Sequence, residues 1–551
     1  MTSLGTDRRT LLRGSAALTA FLPASVLVDA RPSAAATPLR RDPFTIGVAS
    51  GDPAPDGFVI WTRLAPDPLA EDGRGGMPAK DVQVGWQVAT DEAFTDVVRA
   101  GSSRAVPAWG HSVHVEVTGL EPGREYFYRF RQGGWRSPAG RALTTPAYGA
   151  AVTSLAMAFV SCANWQAGWF TAYRHLADER PDVILHLGDY QYEGPGNSFD
   201  RAHVGGETVT LADYRRRHAQ YRTDPDLQAA HAAAPWLAVW DDHEVDNNYA
   251  DEVSEKPAEQ AGFPARRAAA YRAYYENMPL RRASVPSGPD LQLYRRVPWG
   301  SLATFHMLDT RQYRDDQACG DGYKNCPDAA APGRSLPGWQ QEQWLLDGFR
   351  DSTATWDLLG QQVFFGRRDN NPDPAATVVS MDAWDGYAAS RDRVVGGMVE
   401  HGVRNPVVLT GDVHAHWASE VFRDQDDPDS GIVASEFVTS SITSGGDGYD
   451  QADGQHPWAA WNPNLRFWTN LRGYVSTTIT PSEMTVDYRC VNYVTSTGAP
   501  VFTRAQYVLE DGARGMQQTS SDPLMAVRRQ APSDARIIAD TLREETGDEQ
   551  G

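Results

Sequence analysis

Val408-Leu-Thr-Gly-Asp-Val-His-Ala-His-Trp417 runs from a short apolar strand straight into a turn that carries Asp412, His414 and His416. Carboxylate and imidazole presented together at a strand end are metal-ligand chemistry, and such ligands need partners from elsewhere. Two other segments have the same construction: Val183-Ile-Leu-His-Leu-Gly-Asp-Tyr-Gln-Tyr-Glu193, with Asp189 and Tyr192, and Trp236-Leu-Ala-Val-Trp-Asp-Asp-His-Glu244. In a sheet flanked by helices, ligands collect at the carboxyl ends of strands, so the three turns are expected to converge. Such a convergence implies a metal-dependent hydrolase.

A fourth strand end, Ser161-Cys162-Ala163-Asn164, completes the set. Cys162 alone reads as a small buried residue, but its place at the end of the first strand beside Asn164 makes it a ligand candidate. Thiolate, phenolate and imidazole from Cys162, Tyr192 and His414 suit a trivalent or borderline transition metal. The acidic half, Asp189, Asp242 and Asp412, suits a hard divalent ion. Two metals ~3.5–4 Å apart and sharing one carboxylate clamp the attacking and leaving oxygens of an in-line phosphoryl transfer. Adjacent acids at a strand end cannot be told apart by sequence, so Asp241 competes with Asp242. His416 and Glu244 read as residues that orient ligands. Asp309, Arg311, Arg314 and Asp385 read as internal ion pairs, and Trp165, Trp169 and Trp384 as cleft wall or core.

Around this constellation the pattern of the chain changes once. From about Asp42 to Thr145 short alternating strands, such as Val82-Gln-Val-Gly-Trp-Gln-Val-Ala89 and Glu125-Tyr-Phe-Tyr-Arg-Phe-Arg131, indicate a β-sandwich. Thr118 to Tyr128 resembles the tyrosine corner of immunoglobulin-like and fibronectin type III domains. After Pro146, strands alternate with helices, the pattern of an α/β layered domain. The expected divisions are a leader at 1–36, a β-sandwich domain at 37–148, a catalytic domain at 149–512 and a polar tail at 513–551 with one possible short helix at 534–544.

Asp7-Arg-Arg-Thr-Leu-Leu-Arg13, an apolar run from Ser15 to Val28 and Ala34-Ala-Ala36 read in order as a twin-arginine export signal, which implies the export machinery as a partner and a secreted location. No segment is long and apolar enough to span a bilayer, which needs ~20 residues. At 551 residues and 41% hydrophobic the chain can bury ample core. A formal net charge of −20 argues against nucleic-acid binding and leaves local cations to attract an anionic substrate. In an exported chain Cys319 and Cys326 predict a short disulfide-closed loop, whereas Cys490 reads as a buried strand thiol.

Gly188-Asp189-Tyr190-Gln191-Tyr192 is similar to the metal-binding Gly-Asp-x-x-Tyr of purple acid phosphatases, within the calcineurin-like metallophosphoesterases. Asp242-His243-Glu244 stands where that superfamily has Asn-His-Glu, and Gly411-Asp412-Val413-His414 where it has Gly-His-x-His. Two departures, Cys162 for the first Asp and Asp412 for a His, are shared with PhoD-type alkaline phosphatases. The chain also resembles that family at Gly47 to Leu64, Asp242 to Tyr249 and Leu308 to Arg314, so the match runs from about Phe44 to Leu509.

The resemblance implies an αββα metallophosphoesterase sandwich holding an iron(III)–calcium centre. Iron falls to Cys162, Asp189, Tyr192 and His414; calcium falls to bridging Asp189, Asp242, Asp412 and Gln361, with Gln362 as the rival amide. His243 is then left to protonate the leaving alkoxide or to bind phosphate oxygen. The implied activity is hydrolysis of phosphomonoesters and phosphodiesters at alkaline pH by a monomer. A calcium-stimulated phospholipase D is the alternative, and a non-catalytic cell-surface binding protein the remote one.

Overall fold

The computed structural model describes residues 39–197 and 201–524. The leader at 1–36 and the stretch 534–544 lie outside the described residues. Three parallel strands, Leu155–Val160, Val183–Leu187 and Pro235–Val239, form the centre of a ten-stranded sheet. Gly473–Ile479, Glu483–Val491, Val501–Glu510 and Gln517–Ser521 continue it antiparallel on one side. A second sheet runs in the order Arg295–Trp299, Ala303–Met307, Trp356–Gln361, Pro406–Thr410, Asp427–Val438, His416–Asp424, Leu465–Thr469.

Alternation within the strands shows how these sheets stack. Leu358, Val407 and Leu409 join the apolar cluster that contains Phe159, Leu185 and Leu237 of the other sheet. Their neighbours Leu359 and Val408 turn the opposite way, onto Leu345, Phe349, Val394 and Met398 of helices Trp339–Asp351 and Ala388–Glu400. Burial on both faces is why these strands read as unbroken apolar runs. Helices Thr171–Asp178 and Pro225–Ala233 supply Tyr173, Leu176 and Leu227 to the first cluster. Asp224 caps Pro225–Ala233 by accepting from the backbone of Asp226 and Leu227, with Pro225 at the first position where no N–H is needed. Among the described residues no helix is long and apolar enough to cross a membrane.

The amino-terminal strands pack in two layers that are not a separate unit. Val82–Ala89, Val97–Ala105 and Glu125–Gln132 form one of the layers. Phe58, Ile60, Val113 and Val117 face Val84, Val88, Tyr126 and Phe130 across the core between them. The layer made by Val48–Ala54, Gly57–Arg63 and Ser112–Val117, however, is the end of the ten-stranded sheet, because Ser50 and Gly51 pair in parallel with Pro235 and Trp236. A boundary at 148 therefore divides sequence patterns and not sheets. Tyr126 Oη accepts the backbone N–H of Glu121 at 3.0 Å, the bond a tyrosine corner requires.

Two further expectations change. The polar tail does not begin at 513, since Gln517–Ser521 pairs with Val501–Glu510 as the edge strand. Helix Ala388–Glu400 was not legible, for it carries Gly396 and Gly397 in its interior; a Cβ at Gly397 would lie 2.3 Å from Leu346 Cδ2, so tertiary packing rewards the residue that propensity penalises. Cys319 and Cys326 form the expected disulfide, and Cys490 is a free buried thiol on Glu483–Val491.

Candidate metal centre

Parallel register brings the carboxyl ends of the three central strands side by side. Cys162 donates its N–H to Gly188 O at 3.2 Å and Ala163 donates to Asp189 O at 2.9 Å, so the first two turns are stitched together. Glu244 joins the third, its carboxylate accepting from the backbone of Asp189 (3.1 Å), Tyr190 (2.5 Å) and Asp241 (2.8 Å). From the second sheet, the turn after Pro406–Thr410 brings in Asp412 and His414. Cys162, Asp189, Asp412 and His414 all have φ between 54° and 60°. That left-handed conformation is unfavourable for such residues and concentrates at functional sites.

The side chains meet in overlapping groups whose ligand atoms lie within 4.8 Å of one another: Cys162, Asp189 and His414; Asp189, Asp242 and His243; and Asp189, Asp241, Asp242 and Asp412. Asp189 belongs to all three. Tyr192 Oη donates to Asp189 Oδ2 at 3.1 Å and sits 3.0 Å from His414 Nε2, which places the phenol with the first group. Asp189 Oδ1 is buried and has no hydrogen-bond partner.

Electrostatically this gathering of anions is costly as it stands. Burial, reinforced by Asp242, Asp241 and Glu244 against the opposing charge of His243, pushes the Asp189 carboxyl well above the usual range. Burial together with Asp241 does the same to Asp412, and burial with Asp189 and Asp412 raises the Cys162 thiol. Asp241 is pushed up to about 6, mainly by burial, although Arg311 pulls the other way. One guanidinium, Arg311, serves the cluster: it pairs with Asp241 and with Asp382 (2.9 Å), and its Nη2 stands 3.5 Å from Asp242 and 3.9 Å from Asp412. The donor set fits cations, which would satisfy the open oxygen and reverse each of these shifts.

A PhoD-like phosphatase family model matches residues 157–488, and a model of the PhoD-like phosphatase N-terminal domain matches residues 30–146. The chain belongs to the PhoD-like phosphatases. It is similar to alkaline phosphatase D of Bacillus subtilis (strain 168), 48% identical over 535 residues that cover 95% of this chain and 91% of the relative. It is also similar to a solved structure described as that of PhoD, with TM-score 0.87 and 47% identity, covering 93% of this chain and 99% of that one. This PhoD-like phosphatase is therefore an enzyme, which sets aside the non-catalytic binding role.

Of the ligand candidates of the PhoD-like phosphatase, Cys162, Asp189, Tyr192, Asp242, Asp412 and His414 come together, and Asp241 stands with them. Gln361 does not join them. Its Nε2 donates to Val363 O and Thr410 Oγ1, both at 2.7 Å, and its Oε1 accepts from Trp384 Nε1 at 3.0 Å, so the amide is consumed inside the core. Gln362 is likewise taken, by Thr310 and Leu308. His416 lies outside the groups and accepts from Ser440 N at 2.9 Å. Asp385 pairs with Arg391 and Arg367, and Arg314 with Asp382, as internal ion pairs. Sequence reasoning missed Glu193, which accepts from His243 Nδ1 at 2.7 Å, and Asn248, whose N–H donates to Asp242 Oδ2 at 2.7 Å. Neither had a signal beyond lying close to a ligand motif.

Proposed function

We propose that this phosphatase is an exported, metal-dependent enzyme that hydrolyses soluble phosphomonoesters and phosphodiesters at alkaline pH, on an αββα metallophosphoesterase scaffold with an immunoglobulin-like amino-terminal sandwich. The observation that carries the proposal is the buried, partnerless Oδ1 of Asp189 at the overlap of two unlike ligand groups. Iron(III) suits Cys162, Asp189, Tyr192 and His414, since thiolate and phenolate stabilise high charge; calcium suits the all-oxygen group of Asp189, Asp242 and Asp412, with Asp241 held back by Arg311. Bound there, the two ions would supply Lewis-acid chemistry, acidifying water and withdrawing charge from phosphoryl oxygens.

The residues do the rest. Glu193 commits Nδ1 of His243, which leaves Nε2 to give a proton to the departing oxygen. Arg311 balances the carboxylates: its Nε and Nη1 are bonded to Asp241 and Asp382, while Nη2, without a hydrogen-bond partner, faces Asp242 and Asp412. The twin-arginine pattern at Arg8-Arg9 supports export before cleavage near Ala36.

Elemental analysis of the mature protein tests the metals: about one iron and at least one calcium per chain are expected. Two zinc ions without iron reject the assignment, and activity that survives calcium chelation rejects the calcium half. The Cys162→Ala variant is expected to lose iron, any visible tyrosinate-to-iron band and most turnover. A panel of nitrophenyl monoester, nucleotide diester and phosphatidylcholine tests the substrate class, with a far higher kcat/KM on phosphatidylcholine pointing to phospholipase D instead.

A further inference from the structure

We propose that Asn248, Asp321 and Gln317 are positioning residues for the Asp242 carboxylate, and that the Cys319–Cys326 disulfide clamps them in place. The proposal rests on Asp242 being a metal ligand. Asn248 N–H donates to Asp242 Oδ2 at 2.7 Å, while Asp242 Oδ1 accepts no hydrogen bond. This backbone bond fixes Oδ2, while Oδ1 stands 3.5 Å from Arg311 Nη2 on the side of the cluster. Asn248 makes it from the left-handed region, at φ 49°, a conformation that asparagine tolerates but must be held in.

Two groups hold it, and both come from one loop. Asn248 Nδ2 donates to Asp321 Oδ2 at 2.7 Å, and Asn248 O accepts from Gln317 Nε2 at 2.8 Å. Gln317 Nε2 also donates to Asp382 Oδ1 at 3.0 Å, the carboxylate that binds Arg311 and Arg314. The loop thus grips both the ligand's support and the counter-charge behind it.

Packing ties the loop down as well: Ala318 and Cys326 lie in an apolar cluster with Ala329, Val379 and Met381, and Tyr323 packs against Trp458. Asp321 Oδ1 accepts from the N–H of its neighbour Gly322, Gly322 O accepts from Met381 N, and Tyr323–Lys324 pairs with the two residues Val379–Ser380. The disulfide closes it across a separation of seven residues. Without that closure more of the entropy of ordering Asp321 falls on its bond to Asn248, while Gln317, two residues before the bridge, keeps its second bond to Asp382. Cys319 is exposed, so the bridge can be reached by a reductant in the folded protein.

The test uses the full-length protein freed of calcium, in wild-type form and as Cys319→Ser/Cys326→Ser, Asp321→Ala and Asp321→Asn. Calcium alone is titrated by calorimetry, and amide exchange of the segment containing Asn248 is followed by mass spectrometry. Loss of the disulfide or Asp321→Ala is expected to raise the Kd for calcium about tenfold. Exchange at Asn248 should quicken by about as much. Asp321→Asn keeps an oxygen for Asn248 Nδ2 but loses the acceptor for Gly322 N–H, and is expected to fall between wild type and Asp321→Ala on both counts. Reduction of the folded wild-type protein with a dithiol is expected to reproduce the double-serine result without refolding. Wild-type exchange at Asn248 after reduction and in Asp321→Ala overturns the clamp, as does an Asp321→Asn that behaves like Asp321→Ala. A wild-type chain that takes up no calcium overturns the calcium assignment instead, and the exchange at Asn248 still decides the clamp.

Discussion

His243 stands in one of the acidic groups with Glu193 behind it. Its ring lies against that of Tyr192, centroids 4.2 Å apart, and its Nδ1 is 2.7 Å from Glu193 Oε2. Burial alone would lower its pKa, but Glu193 first, then Asp189 and Asp242, hold it well above the ordinary histidine value. A charged imidazole is a proton donor, and a donor matters most when the leaving oxygen is basic. His243→Asn is therefore expected to cut turnover of an alkyl phosphate by ~10²–10⁴-fold and that of a nitrophenyl ester far less. Equal losses on both esters would remove His243 from the donor role. The residues that gather in the three groups stood out in the sequence because they follow short apolar runs. Glu193 did not, since the bond that gives it meaning joins residues 50 apart.

Among the turns, the one after Val183–Leu187 is held by a glycine. Gly188 has φ 109°, and a Cβ there would stand 2.4 Å from Asp241 Cβ, so the second and third turns can approach only because that position lacks a side chain. Gly188→Ala is expected to lower unfolding stability by about 1–3 kcal/mol and to cost metal content. Denaturant titration alongside metal analysis reads both, and a variant with full metal content would show that the turns do not need this spacing. Strands were readable at this level, helix Ala388–Glu400 was not, and the difference is physical. A doubly buried strand is apolar at most positions, whereas Gly397 is favoured by a neighbour on another helix.

Across the molecule, several histidines are buried uncharged. Burial pushes His186, His218 and His456 down to about 3. Each takes up a proton near pH 6.5 when the chain unfolds and stays neutral when it is folded, so the unfolded state binds more protons between about pH 3 and 6.5. Stability is therefore complete above that window and falls as the pH drops through it. Asp246, raised to about 6 chiefly by burial, works with the opposite sign. His218 isolates the effect, because neither ring nitrogen has a hydrogen-bond partner and the ring stacks on Tyr190. Relative to His218→Phe, the wild type is expected to lose about 2 kcal/mol more stability between pH 7.5 and 5.0. Parallel pH dependence of the two proteins in urea unfolding would show that His218 is not the titrating group.

The acids, histidines, cysteine and tyrosine at strand ends, the Tyr126 bond and the short disulfide could all be read along the chain, because each depends on residues close together or on a repeat of two. A carboxylate that follows an apolar strand sits at the strand's end whatever lies beside it. Tertiary structure alone decided what competition between distant groups decides. Gln361 looked like a ligand until Thr410 and Trp384, 49 and 23 residues away, took its amide. The boundary at 148 marked a change of pattern, but Ser50 and Gly51 pair with Pro235 and Trp236 and make one sheet of two patterns. Which oxygen of Asp242 is free depends on Asn248, and Asn248 in turn on Asp321, 73 residues further on. A buried polar group takes the partner that folding brings to it, and that partner is set by packing and not by sequence distance.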